Sequence, residues 1–246
     1  MFGIKKLFST DEEPPVVTAV IVAAGSGTRM GGKVKKQFLS LFGRPVLAHT
    51  IEAVEKCSLV NTIIIVTNED DILTVKDIIS SAGCEKVSSI VTGGAKRAIS
   101  VYKGLCEVPE NTEIVLIHDG VRPVVPEALI ENVIMDAREH GAAALGVKIK
   151  DTIKTVDKNG FISETLDREA MVAIQTPQCF KYDIIKKAYE SFPENATDDC
   201  MLVEKLGVRV KVTEGSYSNI KLTTKEDMAI LSALIELNYE DEETDL

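Results

Sequence analysis

The stretch VVTAVIVAAGSGTRM, residues 16–30, decides how the rest of the chain can be interpreted. Residues 16–24 form an apolar run broken only by Thr18, which is typical of a β-strand buried on both faces. A loop rich in glycine and basic residues, 25–36, follows directly. Strands buried on both faces belong to parallel sheets covered by helices, and ligands bind beyond the carboxyl ends of such strands. This stretch therefore predicts an α/β protein with a ligand site at Gly25.

Strand and helix patterns continue to alternate as far as residue 149. Strands are predicted at 62–67, 86–91, 113–118 and 142–149, and helices at 45–57, 70–82, 96–106 and 126–140. This alternation predicts a three-layer, Rossmann-like α/β fold, with a mainly parallel sheet between two layers of helices. The polar loops that begin at Gly25 and Asp119 directly follow strands, so both are expected at the ligand site.

The pattern changes after residue 150. Residues 150–177 are extended and polar with a turn signal at 157–160, which predicts a protruding β-arm. Such an arm is expected to pair with the same arm of a second copy. Further predicted elements are helices at 182–190 and 198–206, a strand at 208–212 and a last helix at 224–237. The domain organisation is then a leader at 1–15, a single domain at 16–235 and an acidic tail at 236–246.

Charge is unevenly distributed along the chain. The 246 residues carry a net charge of −10, but the tail at 236–246 holds six acids and no base, and residues 16–235 have a net charge of only −3. Nucleic-acid binding requires an excess of cations to neutralise phosphates, so this composition argues against a nucleic-acid partner. It leaves room for a local basic site that binds a small phosphate ligand.

Membrane, export and zinc signals are weak. The apolar runs are far shorter than the ~20 residues of a membrane span, and the leader has acids where a signal peptide has an apolar stretch. The five cysteines are odd in number and none forms a C-x-x-C pair. They are interpreted as reduced thiols of a cytoplasmic protein with no membrane partner. With three scattered histidines, a zinc site is not expected.

The loop after the first strand has the features of a phosphate cradle. Small residues let backbone N–H groups approach an anion, while Arg29 and the following lysines add positive charge. A solvated flexible loop is the alternative. A Rossmann fingerprint is excluded because Met30 stands where glycine is needed. A P-loop match from Gly27 to Lys33 fails at Val34, which lacks the hydroxyl that holds magnesium.

Other motifs are informative mainly in combination. The pair Gly93-Gly94 before a helix allows close approach to a base or phosphate, or simply marks a turn. In HDGVRP, residues 118–123, an acid at a strand end can hold a metal or a hydroxyl, and Arg122 can neutralise a phosphate or pair with Asp119. Thr224 with an acid three residues later predicts a capping box at the start of the last helix.

Together these segments resemble the 2-C-methyl-D-erythritol 4-phosphate cytidylyltransferase family, from about residue 17 to residue 231. The resemblance is carried by AAGSGTRM (23–30), GGAKRAISV (93–101), HDGVRP (118–123), DT (151–152), DRE (167–169), TPQCF (176–180), ATDD (196–199) and NIKLTT (219–224). It implies a nucleotidyltransferase fold and an enzyme that transfers a cytidylyl group from CTP to methylerythritol phosphate. Mg²⁺ or another divalent cation would be the cofactor, and the homodimer would form through the arm.

The resemblance also implies roles for individual residues. Arg29 and Lys36 resemble the pair that stabilises the transition state, and Asp119, Thr152, Arg168 and Lys221 resemble residues that hold the polyol phosphate. Arg168 and Lys221 count with Arg29 and Lys36 in the catalytic set, and Asp119 is also the candidate metal ligand. The residues that resemble nucleotide contacts are Ala23, Ala24, Gly25, Gly27, Gly94, Ala95, Ser100 and Gly120. Thr152 and Arg168 would serve the active site of the partner subunit.

Several choices stay open at this point. Lys33, Lys35 and Lys36 are close enough in sequence that any of them can be the phosphate-binding lysine. The polyol could differ, with ribitol 5-phosphate as the nearest rival. A P-loop ATPase that uses Lys33 and a nucleotide-binding regulatory module without catalysis are alternatives from other classes.

Overall fold

Strand β1 is the centre from which the structure is built. The computed structural model describes residues 13–25, 34–192 and 196–244, with side chains up to Leu237. Most of the predicted leader, together with Gly27, Arg29 and Lys33, lies outside the described residues. The strands are β1 Val17–Val22, β2 Ser40–Leu41, β3 Arg44–Pro45, β4 Val60–Thr67, β5 Val87–Thr92, β6 Ile114–Asp119, β7 Ala142–Lys148, β8 Lys154–Val156, β9 Ile162–Thr165, β10 Val172–Lys181 and β11 Lys211–Glu214.

Seven of these strands form one sheet in the order β11-β7-β10-β6-β1-β4-β5. β1 is parallel to β4 and β6, β4 is parallel to β5, and β11 is parallel to β7. Only β10, among the described strands of this sheet, runs antiparallel to its neighbours. The mainly parallel sheet is therefore confirmed.

Helices cover both faces of the sheet. They are α1 Val46–Lys56, α2 Ile72–Ala82, α3 Arg97–Leu105, α4 Glu127–His140, α5 Tyr182–Ser191, α6 Cys200–Lys205 and α7 Lys225–Thr244. Alternate residues of β1 point to opposite faces: Ala19 and Ile21 pack with α1, α2 and α4, while Val20 packs with α3, α5 and α6. The predicted three-layer architecture follows from this division of the apolar run.

Strand β10 corrects one part of the sequence-based prediction. The sequence pattern places residues 172–177 in the arm, but they belong to β10, whose residues from Gln175 to Phe180 are buried between β6 and β7. The polar side chains of this strand, which make it resemble a polar segment in the sequence, form hydrogen bonds inside the protein. Gln178, for example, accepts the backbone N–H groups of Asp199 and Cys200 at 3.1 and 3.2 Å.

The remainder of the predicted arm contains a two-stranded antiparallel ladder, β8 with β9. Every residue in these two strands is exposed, and Asp157 closes the connecting turn by accepting the N–H groups of Asn159 and Phe161, each at 2.9 Å. That the arm joins a second copy stays a prediction.

The end of the chain also differs in detail from the sequence-based expectation. β11 begins at Lys211, three residues later than predicted. α7 begins with the predicted capping box, since Thr224 N–H donates to the Asp227 carboxylate at 2.7 Å. The helix then continues to Thr244, through most of the predicted tail. Among the described residues, no helix is both long and apolar enough to cross a membrane.

Gly104 sets how closely α3 lies against the sheet. A Cβ atom at this position would be 2.6 Å from Cγ1 of Val20 and 2.9 Å from Cγ2 of Val66, both of which are buried. We expect Gly104→Ala to lower the free energy of unfolding, because an overlap of about 1–3 kcal/mol outweighs about 1 kcal/mol of helix propensity. Urea denaturation measures the difference.

Ser80→Ala is the matched control for this prediction, since it raises helix propensity at an exposed position of α2. It should leave stability unchanged or slightly higher. A rise in stability for Gly104→Ala would show that α3 can move away from the sheet without loss.

Candidate nucleotide and phosphate site

The backbone after β1 is held in place by Gln37. This side chain is buried, and its Nε2 donates to the carbonyl oxygens of Ala23 at 2.8 Å and Gly25 at 3.1 Å. Ala23 N–H in turn donates to Val66 O at 2.7 Å, so the strand end is tied to β4. The rim of the glycine-rich loop therefore has a fixed backbone course as far as Gly25.

The turn between β5 and α3 approaches the same point. A Cβ atom on Gly93 would lie 2.7 Å from Ala24 Cβ and 2.7 Å from Ser100 Oγ, so only glycine fits here. The Gly94 N–H donates to Ser100 Oγ at 3.0 Å. Ser100 thus shapes the turn that faces the predicted nucleotide, which explains why its hydroxyl is itself buried.

These strand ends enclose a cavity of about 430 Å³. Nine of the sequence-predicted residues line it: Ala23, Ala24, Gly25, Lys36, Gly94, Ala95, Ser100, Asp119 and Lys221. The sequence predicts no site role for the six others in the lining: Val22, Gln37, Asn68, Lys96, Arg97 and Val121.

Three other sequence-predicted residues do not line the cavity. Gly120 packs instead against the β1–α1 side, where a Cβ atom would lie 3.1 Å from both Ala23 Cβ and Leu47 Cδ1. Thr152 is exposed in the arm. Arg168 is also in the arm, where its Nη1 donates to Lys150 O at 3.1 Å and its Nε lies 3.5 Å from the Glu169 carboxylate.

The structure separates two of the lysines that the sequence left open. Lys35 Nζ pairs with Asp71 at 2.6 Å. Lys36 lines the cavity, and its Nζ donates to Leu222 O at 3.2 Å. Lys36 therefore has the position expected of a phosphate-binding lysine, while Lys35 is engaged at the start of α2.

Asp119, at the end of β6, faces several cations. Its Oδ2 lies 2.7 Å from Lys221 Nζ and 3.8 Å from Arg122 Nε, and its Oδ1 lies 3.1 Å from Arg97 Nε. Burial would raise the pKa of this carboxyl, but the three cations hold the pKa far below its usual value. Asp119 is therefore an anion at neutral pH despite being buried.

A second buried carboxylate lies behind Arg97. The Asp199 carboxylate accepts hydrogen bonds from Nη1 and Nη2 of Arg97 at 2.9 and 2.8 Å and from the hydroxyl of Tyr189 at 2.5 Å. Burial would lower the pKa of Arg97, but the charges of Asp199 and Asp119 hold it well above its usual value. The sequence predicts no role for Arg97 or Asp199, because a pair of residues 102 positions apart leaves no local sequence signal.

His118 fixes the backbone around Asp119. The Nε2 nitrogen of His118 lies 3.2 Å from Arg122 O, which can only accept, so Nε2 carries the hydrogen and donates it. The Nδ1 nitrogen of the neutral ring is then an acceptor, so the Thr176 hydroxyl donates to it at 3.1 Å and accepts the Asp119 N–H, also at 3.1 Å. Burial lowers the pKa of His118 to about 4, consistent with a neutral ring that makes two directed hydrogen bonds.

Another cavity, of about 360 Å³, lies between α1, the segment at 123–126 and α7. It contains neither a glycine-rich turn nor the carboxyl end of a strand. The cavity at β1 and β6 is the candidate site because those features occur there together with cations.

The fold and this cavity together are those expected of a nucleotide-binding α/β enzyme that acts on phosphate groups. Helices on both faces leave one open edge where the strands end, and that edge carries Lys36, Lys96 and Lys221, while Arg97 is engaged by Asp119 and Asp199. Fixed cations beside a glycine-rich backbone are what a triphosphate requires.

Comparison with known proteins identifies the family. Residues 17–237 match the 2-C-methyl-D-erythritol 4-phosphate cytidylyltransferase family. The chain is 47% identical to the enzyme of that name from Desulforamulus reducens over 89% of this chain and 95% of the relative, and 44% identical to that from Clostridium novyi over 89% and 96%. The chain belongs to the 2-C-methyl-D-erythritol 4-phosphate cytidylyltransferase family.

Solved structures agree with this membership. The crystal structure of 4-diphosphocytidyl-2C-methyl-D-erythritol synthase from Anaerococcus prevotii matches with a TM-score of 0.81 at 34% identity, covering 91% of this chain and 97% of that one. The 2-C-methyl-D-erythritol 4-phosphate cytidylyltransferase from Thermus thermophilus matches with a TM-score of 0.71 at 27% identity, covering 89% and 98%. The nucleotidyltransferase fold expected from the sequence is confirmed.

Burial of His118 makes stability depend on pH. The folded form holds a pKa of about 4, whereas an unfolded histidine titrates near 6.5, so protons bind the unfolded chain first as pH falls. The contribution is greatest above pH ~6.5 and is lost as pH falls towards ~4. We expect a loss of about 2 kcal/mol of unfolding free energy between pH 7 and pH 5, measured by urea denaturation.

His118→Gln should flatten the stability profile in this interval, whereas His140→Gln, at an exposed position, should leave the slope unchanged. An unaltered slope in His118→Gln would contradict the assignment of this pH dependence to His118.

Proposed function

We propose that this chain transfers the cytidylyl group of CTP to 2-C-methyl-D-erythritol 4-phosphate. A phosphate oxygen of the polyol phosphate attacks the α-phosphorus of CTP, pyrophosphate leaves, and 4-diphosphocytidyl-2-C-methylerythritol forms, a step in isoprenoid precursor synthesis. Family membership supports this reaction. The observation that carries it is the cation-lined cavity at the ends of β1, β4 and β6.

The chemistry requires charge stabilisation rather than a base. The attacking phosphate is already an anion, so no proton must be removed. The barrier comes from bringing two polyanions together and from negative charge that builds up on the α-phosphoryl group and on pyrophosphate. Cations held rigidly in a site that excludes water lower that barrier most effectively.

Lys36 is suited to stabilise the phosphoryl group, together with Arg29 of the glycine-rich loop. Lys36 lies at the start of a 3-10 turn whose next residue, Gln37, is anchored to the loop rim, so its backbone is fixed. The backbone from Ala23 to Gly25 and the turn at Gly94, Ala95 and Ser100 would contact the nucleotide. Lys221 would hold the phosphate group of the polyol phosphate through its positive charge, and Asp119 would accept a hydrogen bond from a hydroxyl group of the polyol.

Magnesium is proposed as the cofactor. Among the described residues, Asp119 is the one carboxylate that lines the cavity, and the single cluster of three potential ligands, Cys57 with Glu127 and Glu131, lies elsewhere. Mg²⁺ is usually bound by one or two carboxylates together with substrate phosphates. Because both Asp119 oxygens already face cations, a Mg²⁺ would arrive with CTP, be held mainly by the triphosphate and have Asp119 as its candidate protein ligand. Bound there, it would neutralise charge on the triphosphate.

A homodimer formed through the arm would complete the site. Thr152 and Arg168 lie outside the cavity of their own chain, which is understandable if they serve the partner subunit. The arm also exposes several apolar side chains to solvent: Val156, Phe161 and Ile162 are 63%, 71% and 67% exposed. Exposed apolar clusters of this kind commonly mark a protein–protein interface.

We place the enzyme in the cytoplasm, where CTP is available and buried thiols such as Cys57 and Cys179 remain reduced. Cytidylyl transfer to ribitol 5-phosphate is the rival reaction, and the family match favours methylerythritol phosphate over it.

The decisive experiment measures pyrophosphate release with CTP, Mg²⁺ and a panel of polyol phosphates that includes methylerythritol phosphate and ribitol 5-phosphate. We expect rapid release with methylerythritol phosphate alone. Preference for ribitol 5-phosphate would overturn the substrate assignment. CTP binding with no release for any polyol phosphate would favour a regulatory module.

Lys36→Met should lower kcat by about 100-fold or more, because one preorganised donor to developing charge has about that effect. Lys35→Met is the matched control, since Lys35 pairs with Asp71 instead of lining the cavity. It should retain kcat within about threefold. Pyrophosphate release measures both, and a loss confined to Lys33→Met would favour the P-loop interpretation.

Arg168→Ala should weaken the use of methylerythritol phosphate by about 100-fold, with CTP binding largely retained, because Arg168 would orient the nucleophilic phosphate. Steady-state kinetics and a direct CTP titration separate the two effects. An equal loss in both would contradict the assignment of Arg168 to the polyol phosphate.

Subunit complementation tests whether the arm is shared. Coexpression of Arg168→Ala with Lys36→Met gives heterodimers in which one site has both wild-type residues if the arm crosses between subunits. Purified heterodimers should then recover about half of the wild-type turnover. Heterodimers as inactive as either parent would show that each arm serves its own chain.

A further inference from the structure

Asp199 is held from several directions at once. Its side chain is fully buried, and its carboxylate accepts two hydrogen bonds from Arg97 and one from Tyr189, which is itself 1% exposed. The backbone N–H of Asp199 is fixed as well, since it donates to Gln178 Oε1 at 3.1 Å. A carboxylate with these partners has a single orientation, so it can fix the orientation of a side chain that binds to it.

Arg97 is the side chain whose orientation Asp199 fixes. Because a guanidinium is planar, the two parallel bonds from Nη1 and Nη2 to Asp199 fix its plane. Of the three N–H groups of Arg97 that remain, Nε–H points to Asp119 Oδ1 at 3.1 Å. Arg97 cannot turn Nε away from Asp119 without losing both bonds to Asp199.

Asp119, held by Arg97, in turn fixes the position of the Lys221 ammonium group. With Oδ1 engaged by Arg97, the carboxylate presents Oδ2 to Lys221 Nζ at 2.7 Å. The side chain of Lys221 is 35% exposed and lines the cavity, so its ammonium would otherwise sample many positions. The chain of contacts therefore runs from a buried helix pair to an ammonium group at the site.

Stability alone is a poor reason for an ion pair whose carboxylate is fully buried and whose arginine side chain is only 27% exposed. Removing two charges from water costs about as much as their attraction returns, and apolar residues of similar volume stabilise a core at least as well. Tyr189 and Asp199 belong to α5 and the start of α6, which pack on the sheet without lining the cavity. The hydrogen bonds of their two side chains lead to Arg97.

We propose that Asp199, supported by Tyr189, is a positioning residue that acts through Arg97 and Asp119 to fix the ammonium group of Lys221 for the polyol phosphate. This role rests on the function proposed above and adds to it two residues that do not touch the cavity. Asp199→Asn keeps the size of the side chain but replaces one acceptor by a donor, so the bidentate pair is lost.

Kinetics of the full-length variants test the role. Asp199→Asn should lower kcat/KM for methylerythritol phosphate about 10- to 100-fold, while the CTP dissociation constant changes by less than about threefold. Tyr189→Phe, which removes one hydrogen bond and keeps the ring, should show the same pattern with a loss of about three- to tenfold. Tyr182→Phe, on the same helix, is the matched control and should have wild-type kinetics.

A double-mutant cycle separates positioning from a general structural effect. If Asp199 acts through Lys221, adding Asp199→Asn to Lys221→Met should cost less than about threefold beyond Lys221→Met alone. Losses that multiply, equal losses for CTP and polyol phosphate, or a harmless Lys221→Met would each overturn the proposal. If Asp199→Asn does not fold, the same cycle with Tyr189→Phe decides.

A crystal structure of the Asp199→Asn or Tyr189→Phe variant gives a readout that does not depend on turnover. Displacement of Lys221 Nζ from Asp119 Oδ2 in the Asp199→Asn variant, or a turned Arg97 in Tyr189→Phe, supports the proposal. An unchanged 2.7 Å pair with Arg97 in place overturns it. Absence of pyrophosphate release by the wild-type enzyme would instead defeat the proposed function, and this structural comparison would still decide the positioning role.

Discussion

The negative charge of Asp119 is the constraint on which the site depends. The carboxylate lies at the end of β6 and is buried, a location that by itself would favour the neutral acid. It stays ionised because Arg97, Lys221 and Arg122 surround it. The dependence is mutual, since three cations this close together repel one another unless an anion lies between them. One buried charge therefore keeps the cationic wall of the cavity assembled.

The sheet topology determines which groups can reach Asp119. β1 and β6 are parallel neighbours, so the backbone at Ala23 and the carboxylate at Asp119 come to the same edge. β10 runs in the opposite direction beside β6 and brings Thr176 to the Asp119 N–H. Thr176 links in turn to the neutral ring of His118, so the backbone of the HDGVRP segment is fixed through a strand that arrives from the arm.

The sequence predicted the parts of the fold whose signals are local. The apolar run of β1, the close approach at Gly93 and the capping box at Thr224 each follow from residue types a few positions apart. β10 was missed because Gln175, Thr176 and Gln178 make it resemble a polar segment; their partners lie on distant parts of the chain. The choice between Lys35 and Lys36 depends on the rotation of one 3-10 turn, which periodicity does not resolve. The Arg97–Asp199 pair spans 102 positions and is invisible to any local pattern.

The net charge of −10 is compatible with a cationic cavity, because two of the carboxylates, Asp119 and Asp199, are used inside the protein to hold the cations of the site. Asp119 and Asp199 each neutralise cations inside the protein, where the low dielectric makes an uncompensated charge costly. Without them, the folded chain would have to hold Arg97, Arg122 and Lys221 together before any substrate arrives. Because they bind cations through defined oxygens, they also set the direction of each donor. An acidic protein can thus bind two polyanions, since average charge controls solubility while the placement of a few buried carboxylates controls the field inside the cavity.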